Sequence, residues 1–235
     1  MKTRMIKLIS IVMVLALGLV AEVANADFTF GTPTNLGPTV NSSTDDDTLD
    51  ISYDGLEIYF TSNRPGGYGN YDIWVTTRPT TADDWGIPVN LGPTVNSSSS
   101  ENSPSISADG LTLYFGDWPN PRPGGFGSVD IWVTTRPTIA DDWGTPVNLG
   151  PTFNSSASDG SPDISGDGLE LYFTSNRPGG YGSLDLWVTT RATTEDGWGT
   201  PVNLGPAVNS SGLDHCSVIS ADELVLFFDY DNIWD

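Results

Sequence analysis

The side chains that could do chemistry recur at near-fixed intervals. Asp46, Glu101, Asp159 and Asp214 occupy equivalent positions, two residues before a Ser-Pro slot or its counterpart. Gathered around a central channel, these four acids could hold a hard cation such as calcium through carboxylate oxygens. The simpler reading is that each acid caps a local turn or pairs with a neighbouring arginine, because charges repeated with a scaffold usually serve the scaffold. Arg-Pro-Gly-Gly-aromatic-Gly begins at Arg64, Arg122 and Arg177 and brings Tyr68, Phe126 and Tyr181 with it. Arginine and aromatic rings often carry interface energy, so these six residues are expected to form a binding face for a protein or glycan partner. A phosphate cradle is a poor reading of the same glycines. Such loops run into a helix N-terminus, and these lie between strand-like segments. A compact turn is expected instead, with Asp72, Asp130 and Asp185 accepting hydrogen bonds from its amides.

His215 and Cys216 break the pattern, standing where the other units have Asn102-Ser103 and Gly160-Ser161. A nucleophilic pair needs a third, orienting group and a pocket, and neighbours on a strand point to opposite faces. Drift of the last unit therefore explains them better than thiol chemistry. The fourth unit lacks the Arg-Pro-Gly-Gly loop, since Phe228 runs almost directly into Asn232. That gap opens the face beside His215, where a ligand is expected to dock. Glycoside hydrolysis needs two carboxylates at a set separation, normally unique ones, whereas nearly all acids here are repeated. The expectation is a binding scaffold and not an enzyme. A carbohydrate-active propeller enzyme and a calcium-stabilised structural envelope protein are the alternatives.

The elements that position these residues follow from the repeat. Asn-Leu-Gly-Pro occurs at Asn35, Asn90, Asn148 and Asn203, at intervals of 55, 58 and 55 residues. The three extra residues of the second unit lie within 116–121. Each unit reads as four short strands. In the second these are 103–107, 111–115, 130–136 and 143–149, with a tight turn at Ala108-Asp109-Gly110. Pro146 cannot donate to a ladder, so the last strand belongs on an edge. No segment has useful helical periodicity. The chain opens, over 28–37, with a segment matching the fourth strand of a unit, and closes without one. The fold class expected is all-β: a small propeller of four blades of four antiparallel strands, the last blade closed by the N-terminal strand near Ile233. The units are 38–92, 93–150, 151–205, and 206–235 completed by 27–37.

Ser-Pro-x-Ile-Ser-x-Asp-Gly-Leu-x-Leu-Tyr-Phe, Ser-Asn-Arg-Pro-Gly-Gly-Tyr-Gly and Asp-Ile-Trp-Val resemble the WD40-like β-propeller repeat of TolB-type periplasmic proteins. The resemblance covers nearly all of residues 44–235. It implies a propeller fold and a role as a protein-binding platform or an accessory domain of larger envelope proteins.

Residues 1–26 have the layout of a secretory signal peptide. Lys2, Arg4 and Lys7 precede an apolar run over 8–20, and Ala24-Asn25-Ala26 offers a cleavage site. A secreted or periplasmic location follows, without membrane insertion after cleavage, and with a single domain over 27–235. The whole chain has a formal net charge of −21. Without residues 1–26 it keeps 29 acids against 6 bases, all of them Arg. Such a field argues against nucleic acid as a partner. Cys216 is the only cysteine, so no internal disulfide forms, and a monomer is expected. Asn-Ser-Ser at Asn41, Asn96, Asn154 and Asn209 fits the glycosylation acceptor pattern in exposed linkers, or, in a bacterial host, is simply polar linker.

Overall fold

The computed structural model describes residues 6–10, 31–118 and 121–231. These residues hold strands and turns and no helix. A strand β1 (Ile6–Ser10) precedes three four-stranded antiparallel sheets. The first is β2 (Asp46–Ile51), β3 (Glu57–Ser62), β4 (Asp72–Thr77) and β5 (Val89–Asn90). The second is β6 (Asn102–Ile106), β7 (Thr112–Gly116), β8 (Ile131–Thr135) and β9 (Val147–Asn148). The third is β10 (Asp159–Ile164), β11 (Glu170–Ser175), β12 (Asp185–Thr190) and β13 (Val202–Asn203). In each, consecutive strands pair in sequence order, as a meander of hairpins does. A fourth sheet has the order β1-β15-β14, with β14 (Leu213–Ile219) and β15 (Val225–Asp231).

One expectation is corrected at this level and another lies partly outside the described residues. The fourth strand of each unit is two residues long, not seven, because Pro88, Pro146 and Pro201 stand immediately before it and supply no N–H. The expected closure of the last sheet by 28–37 falls partly on residues 28–30 and 233, which lie outside the described residues, and 31–37 form no strand. In the full-length chain β1, which lies within the signal-like segment, pairs with the edge of β15, with Ile6 opposite Asp229 and Ser10 opposite Val225; removal of residues 1–26 would free that edge. An unpaired edge is a template for any extended segment, and Ile-Lys-Leu-Ile-Ser has the composition of one.

The sheets pack through the strand that opens each unit. Ile106 of β6 sits among Tyr59 and Ile73 of the preceding sheet and Leu113 and Phe115 of its own. Ile164 and Ile219 repeat this at the next two junctions. These three isoleucines are 6–8% exposed, whereas their counterpart Ile51 is 45% exposed. Fully burying such a side chain is worth about 1.5–3 kcal/mol, so each junction carries a term that the outer face of the first sheet lacks. A hydrogen bond accompanies each contact. The Ile106 N–H donates to Asp50 Oδ2 at 2.8 Å, the Ile164 N–H to Ser105 Oγ at 3.1 Å, and the Ile219 N–H to Asp163 Oδ2. Val218 has the corresponding place in β14 and cannot accept. Among the described residues β14 and β2 make no contact.

Burial pushes the carboxyls of Asp163 and Asp50 up, and Asp163 is raised further by the charge of Asp50. An acid whose folded pKa exceeds its unfolded value makes the folded state bind more protons, so stability falls as pH rises between the two values. The melting temperature is therefore expected to rise as pH is lowered from 7 towards 5. Below about pH 4 it should fall again. Burial opposes this second trend, but Arg64 and the Ser42 and Ser62 hydrogen bonds hold Asp46 below its ordinary value, and protonating it removes that contribution. Relief of net negative charge acts in the same direction as the first trend, so Asp163→Asn is the discriminating variant. Its pH profile between 5 and 7 should be flatter than the parent's, and an unchanged slope refutes the assignment.

Candidate functional site: a cavity at the heads of the opening strands

The acids at the head of the opening strands are internal anchors. In the first and third units Arg64 Nη2 meets Asp46 Oδ1 and Arg177 Nη2 meets Asp159 Oδ1, both at 2.6 Å. Arg122 stands 3.6 Å from Glu101. Serines four residues upstream, or across the ladder, complete the set. Ser97 Oγ donates to Glu101 at 2.6 Å, Ser155 Oγ to Asp159 at 2.8 Å and Ser210 Oγ to Asp214 at 3.0 Å. Burial pushes Glu101 up, against the pull of Ser97 and Arg122. Among the described residues no group of three or more His, Cys, Asp and Glu side chains is placed to hold a metal ion. The expected calcium ring of Asp46, Glu101, Asp159 and Asp214 is not among such groups: an Arg faces the acid in the first three units and Ser210 donates to Asp214 in the fourth.

The same contacts remove Arg64, Arg122 and Arg177 from the binding face. Their side chains are only 10–12% exposed and lie over rings of the sheet beneath. Arg64 covers Phe60 and Trp74, Arg122 covers Phe115 and Trp132, and Arg177 covers Phe173 and Trp187, at 4.8–5.6 Å from the centroids. Guanidinium on aromatic faces, closed by a carboxylate, is a packing unit. The loop aromatics Tyr68, Phe126 and Tyr181 do remain about half exposed. They stand at the same end of the sheets as the acids, since Asp46 pairs with Ser62 and Ser62 with Asp72.

The turn reading of the glycine loops holds. Asp72 accepts from the N–H groups of Tyr68 and Gly69 at 2.6 and 3.0 Å, and Asp130 and Asp185 do the same in the next two units. A Cβ on Gly67, Gly125 or Gly180 would overlap that carboxylate. The glycosylation reading fails for three sites. Asn96, Asn154 and Asn209 are buried. Each side chain clasps one residue of the third strand, donating to its C=O and accepting from its N–H at 2.8–3.0 Å. The residues clasped are Ile73, Ile131 and Leu186. The Asn of Asn-Leu-Gly-Pro holds the clasp by accepting from its Nδ2.

The opening strands carry a bulge just after the acid, and here the sequence pattern misleads. Thr48, Ser103, Ser161 and Cys216 all have positive φ, between 25° and 54°, and the pairing register slips beside each of them. Non-glycine residues rarely adopt this conformation, and a bulge re-aims side chains. Strand alternation is thereby broken. His215 and Cys216, expected on opposite faces, both line one cavity, with His215 Nδ1 3.2 Å from Cys216 Sγ.

This cavity, of about 760 Å³, sits where the heads of the opening strands converge. Its walls include all four bulge residues and all four residues before them: Asp47, Asn102, Gly160 and His215. Tyr71 and Trp118 add rings, and Val129, Leu184 and Leu213 an apolar side. Of the residues expected to bind, His215 is in the lining, and the three arginines, the three loop aromatics and the four acids are outside it. Sequence reasoning missed Trp118. Its signal was the three-residue insertion in the second unit, which is where it stands.

No family model and no curated protein matches this chain. Solved structures do. TolB from Acinetobacter baumannii superposes with a TM-score of 0.55 at 13% identity, over 82% of this chain and 39% of that one. A putative TolB from Agrobacterium tumefaciens gives 0.53 at 19% identity, over 80% and 56%. A thermostable family-43 glycoside hydrolase gives 0.50 at 12% identity, over 77% and 63%. The chain thus spans 39%, 56% and 63% of the lengths of these three, in that order. The expectation that the chain is not an enzyme is corrected by the last of these, because the same sheet architecture carries a glycoside hydrolase. At these identities the comparison concerns the fold: this chain has the all-β, propeller-like fold of TolB-type proteins.

Proposed function

We propose that the chain is an exported propeller module that takes a small ligand into the cavity at the heads of the opening strands. The observation that carries this is where the repeats disagree. The residue after the anchoring acid is Asp47, Asn102, Gly160 and His215 in turn, different in every unit, while the residue before it is always Asp or Glu and the bulge residue after it is a small Thr, Ser or Cys. All four line the cavity. A repeat scaffold needs no such variety for packing, whereas an asymmetric ligand does. Catalysis, which the fold allows, would run through Asp47 and His215, the titratable groups of the lining besides Tyr71 and Cys216. The signal-like N-terminus supports export to the periplasm or medium. Closure of the four sheets into a ring of blades is part of the same proposal.

Gly160→Trp tests the site. A Cβ there meets only Val129 Cγ1, at 3.4 Å, and φ is not left-handed, so the indole can be built into the cavity without backbone strain. The parent, incubated with a small-molecule extract and desalted, should retain a compound by mass spectrometry that the variant does not. Equal retention by both places the site elsewhere.

A further inference from the structure

We infer that the ligand of this cavity is an uncharged saccharide whose ring lies on the indole of Trp118. This rests on the reading of the cavity as the binding site and adds the ligand's chemical class. Trp118 enters the wall only through the insertion peculiar to the second unit. It is 59% exposed, so a large apolar face is open to solvent. Its backbone oxygen accepts from Asn102 Nδ2, which ties the inserted loop to the head of β6. A tethered, exposed indole at the mouth of a polar cavity is a platform for a flat partner with C–H groups on one side.

The polar groups around it fit hydroxyls. Asn102 and Asn176 each bring an amide with both donor and acceptor atoms, and Ser158 N–H fixes Asn176 by donating to its Oδ1 at 2.8 Å. Hydroxyls of the bulge serines add further groups of both kinds. A sugar hydroxyl, itself donor and acceptor, is satisfied by such a lining in either sense. Val129, Leu184 and Leu213 give the wall an apolar side, matching the amphipathic faces of a pyranose. Charge narrows the class. The described lining contains no Arg or Lys and has Asp47 as its only carboxylate, in a chain of net charge −21. Phosphates, sulfates and uronic or sialic acids would enter against that field without a counter-charge. The volume, about 760 Å³, falls in the usual range for ligand pockets, roughly 300–1,000 Å³.

Titration calorimetry on the purified chain with cellotriose, xylotriose and maltotriose, beside trigalacturonic acid and choline, tests this. At least one neutral trisaccharide should bind and the anionic one should not. Trp118→Ala should weaken binding by about tenfold or more, the equivalent of about 1.4 kcal/mol. Tyr181→Ala, outside the cavity, should leave it unchanged, and Trp118→Phe should recover part of it. If choline binds through Trp118 and no trisaccharide does, the cavity stands and the saccharide assignment is wrong. If a trisaccharide binds equally well to Trp118→Ala, the platform is wrong. If none of the five binds, the saccharide inference falls, and the comparison of parent with Gly160→Trp separately decides the cavity.

Discussion

Arg177→Ala is expected to be among the most damaging single substitutions in the chain. Its Nη2 is 2.6 Å from Asp159 and 2.8 Å from the Phe153 carbonyl, and its plane covers Phe173 and Trp187. Asp159 is fully buried. Removing one member of a buried pair leaves the other charge uncompensated, at a cost of about 3–5 kcal/mol. At this chain size that corresponds to a fall in melting temperature of roughly 10 °C. Arg122→Ala should cost less. Its partner Glu101 is farther away, at 3.6 Å, and burial already pushes that carboxyl up, so Glu101 can take a proton in place of its cation. Thermal melts of the two variants at pH 7 check the order, and a larger loss for Arg122→Ala would contradict the account. Lowering the pH to 5 should recover part of the loss in Arg122→Ala.

Asn154→Ala comes next in size. The variant leaves the Ile131 N–H in the interior without its acceptor, while the Ile131 C=O keeps the Leu149 N–H and Asn148 Oδ1 keeps the Gly150 N–H. An unsatisfied buried group costs about 1–3 kcal/mol, so a loss of about 1–3 kcal/mol is expected. Asn96→Ala and Asn209→Ala should match it within experimental scatter, since each clasps one residue of its own sheet in the same way. Asn41 is the informative fourth case. Asn35 Oδ1 accepts from its Nδ2 at 2.9 Å, as in the other units, yet among the described residues it clasps no strand. If the propeller closes on the segment around Ile233, Asn41→Ala should destabilise like the other three. A silent substitution would show that the ring stays open there.

Much of this architecture could be read from the sequence because it is encoded by short-range chemistry. Asp109 and Gly110 make a hairpin turn by local hydrogen bonding and positive φ, and Asp72 caps its loop from four residues away. Such contacts hold wherever the chain goes. The failures share a different cause. The arginines looked like surface groups because a guanidinium is polar, and nothing in the spacing says that Phe60 and Trp74 form a floor beneath Arg64. The Asn-Ser-Ser sites read as exposed linkers, although Asn154 reaches back 23 residues to Ile131. The bulge at Cys216 defeated a rule of strict alternation. Its signature, one register slip per opening strand, is a property of paired backbones and has no residue code beyond the Ser, Thr or Cys found there. Trp118 was hidden by comparison among units, since an insertion has no counterpart with which to align.

The reach of the asparagine clasp bears on how such an array can change its copy number. Each clasp joins a linker to the strand 23 residues before it, and each junction bond runs only to the following unit. A recombination event that duplicates or excises one whole unit therefore leaves every remaining clasp with its partner and creates one new junction of a kind already in use. The number of units is thus nearly neutral to local folding, and lineages could lengthen or shorten the array in single steps. The positions around the cavity would pay no such heed to the unit boundary, because their arrangement depends on how many walls surround the axis. Changes in copy number would reshape the ligand site at once while leaving the scaffold intact.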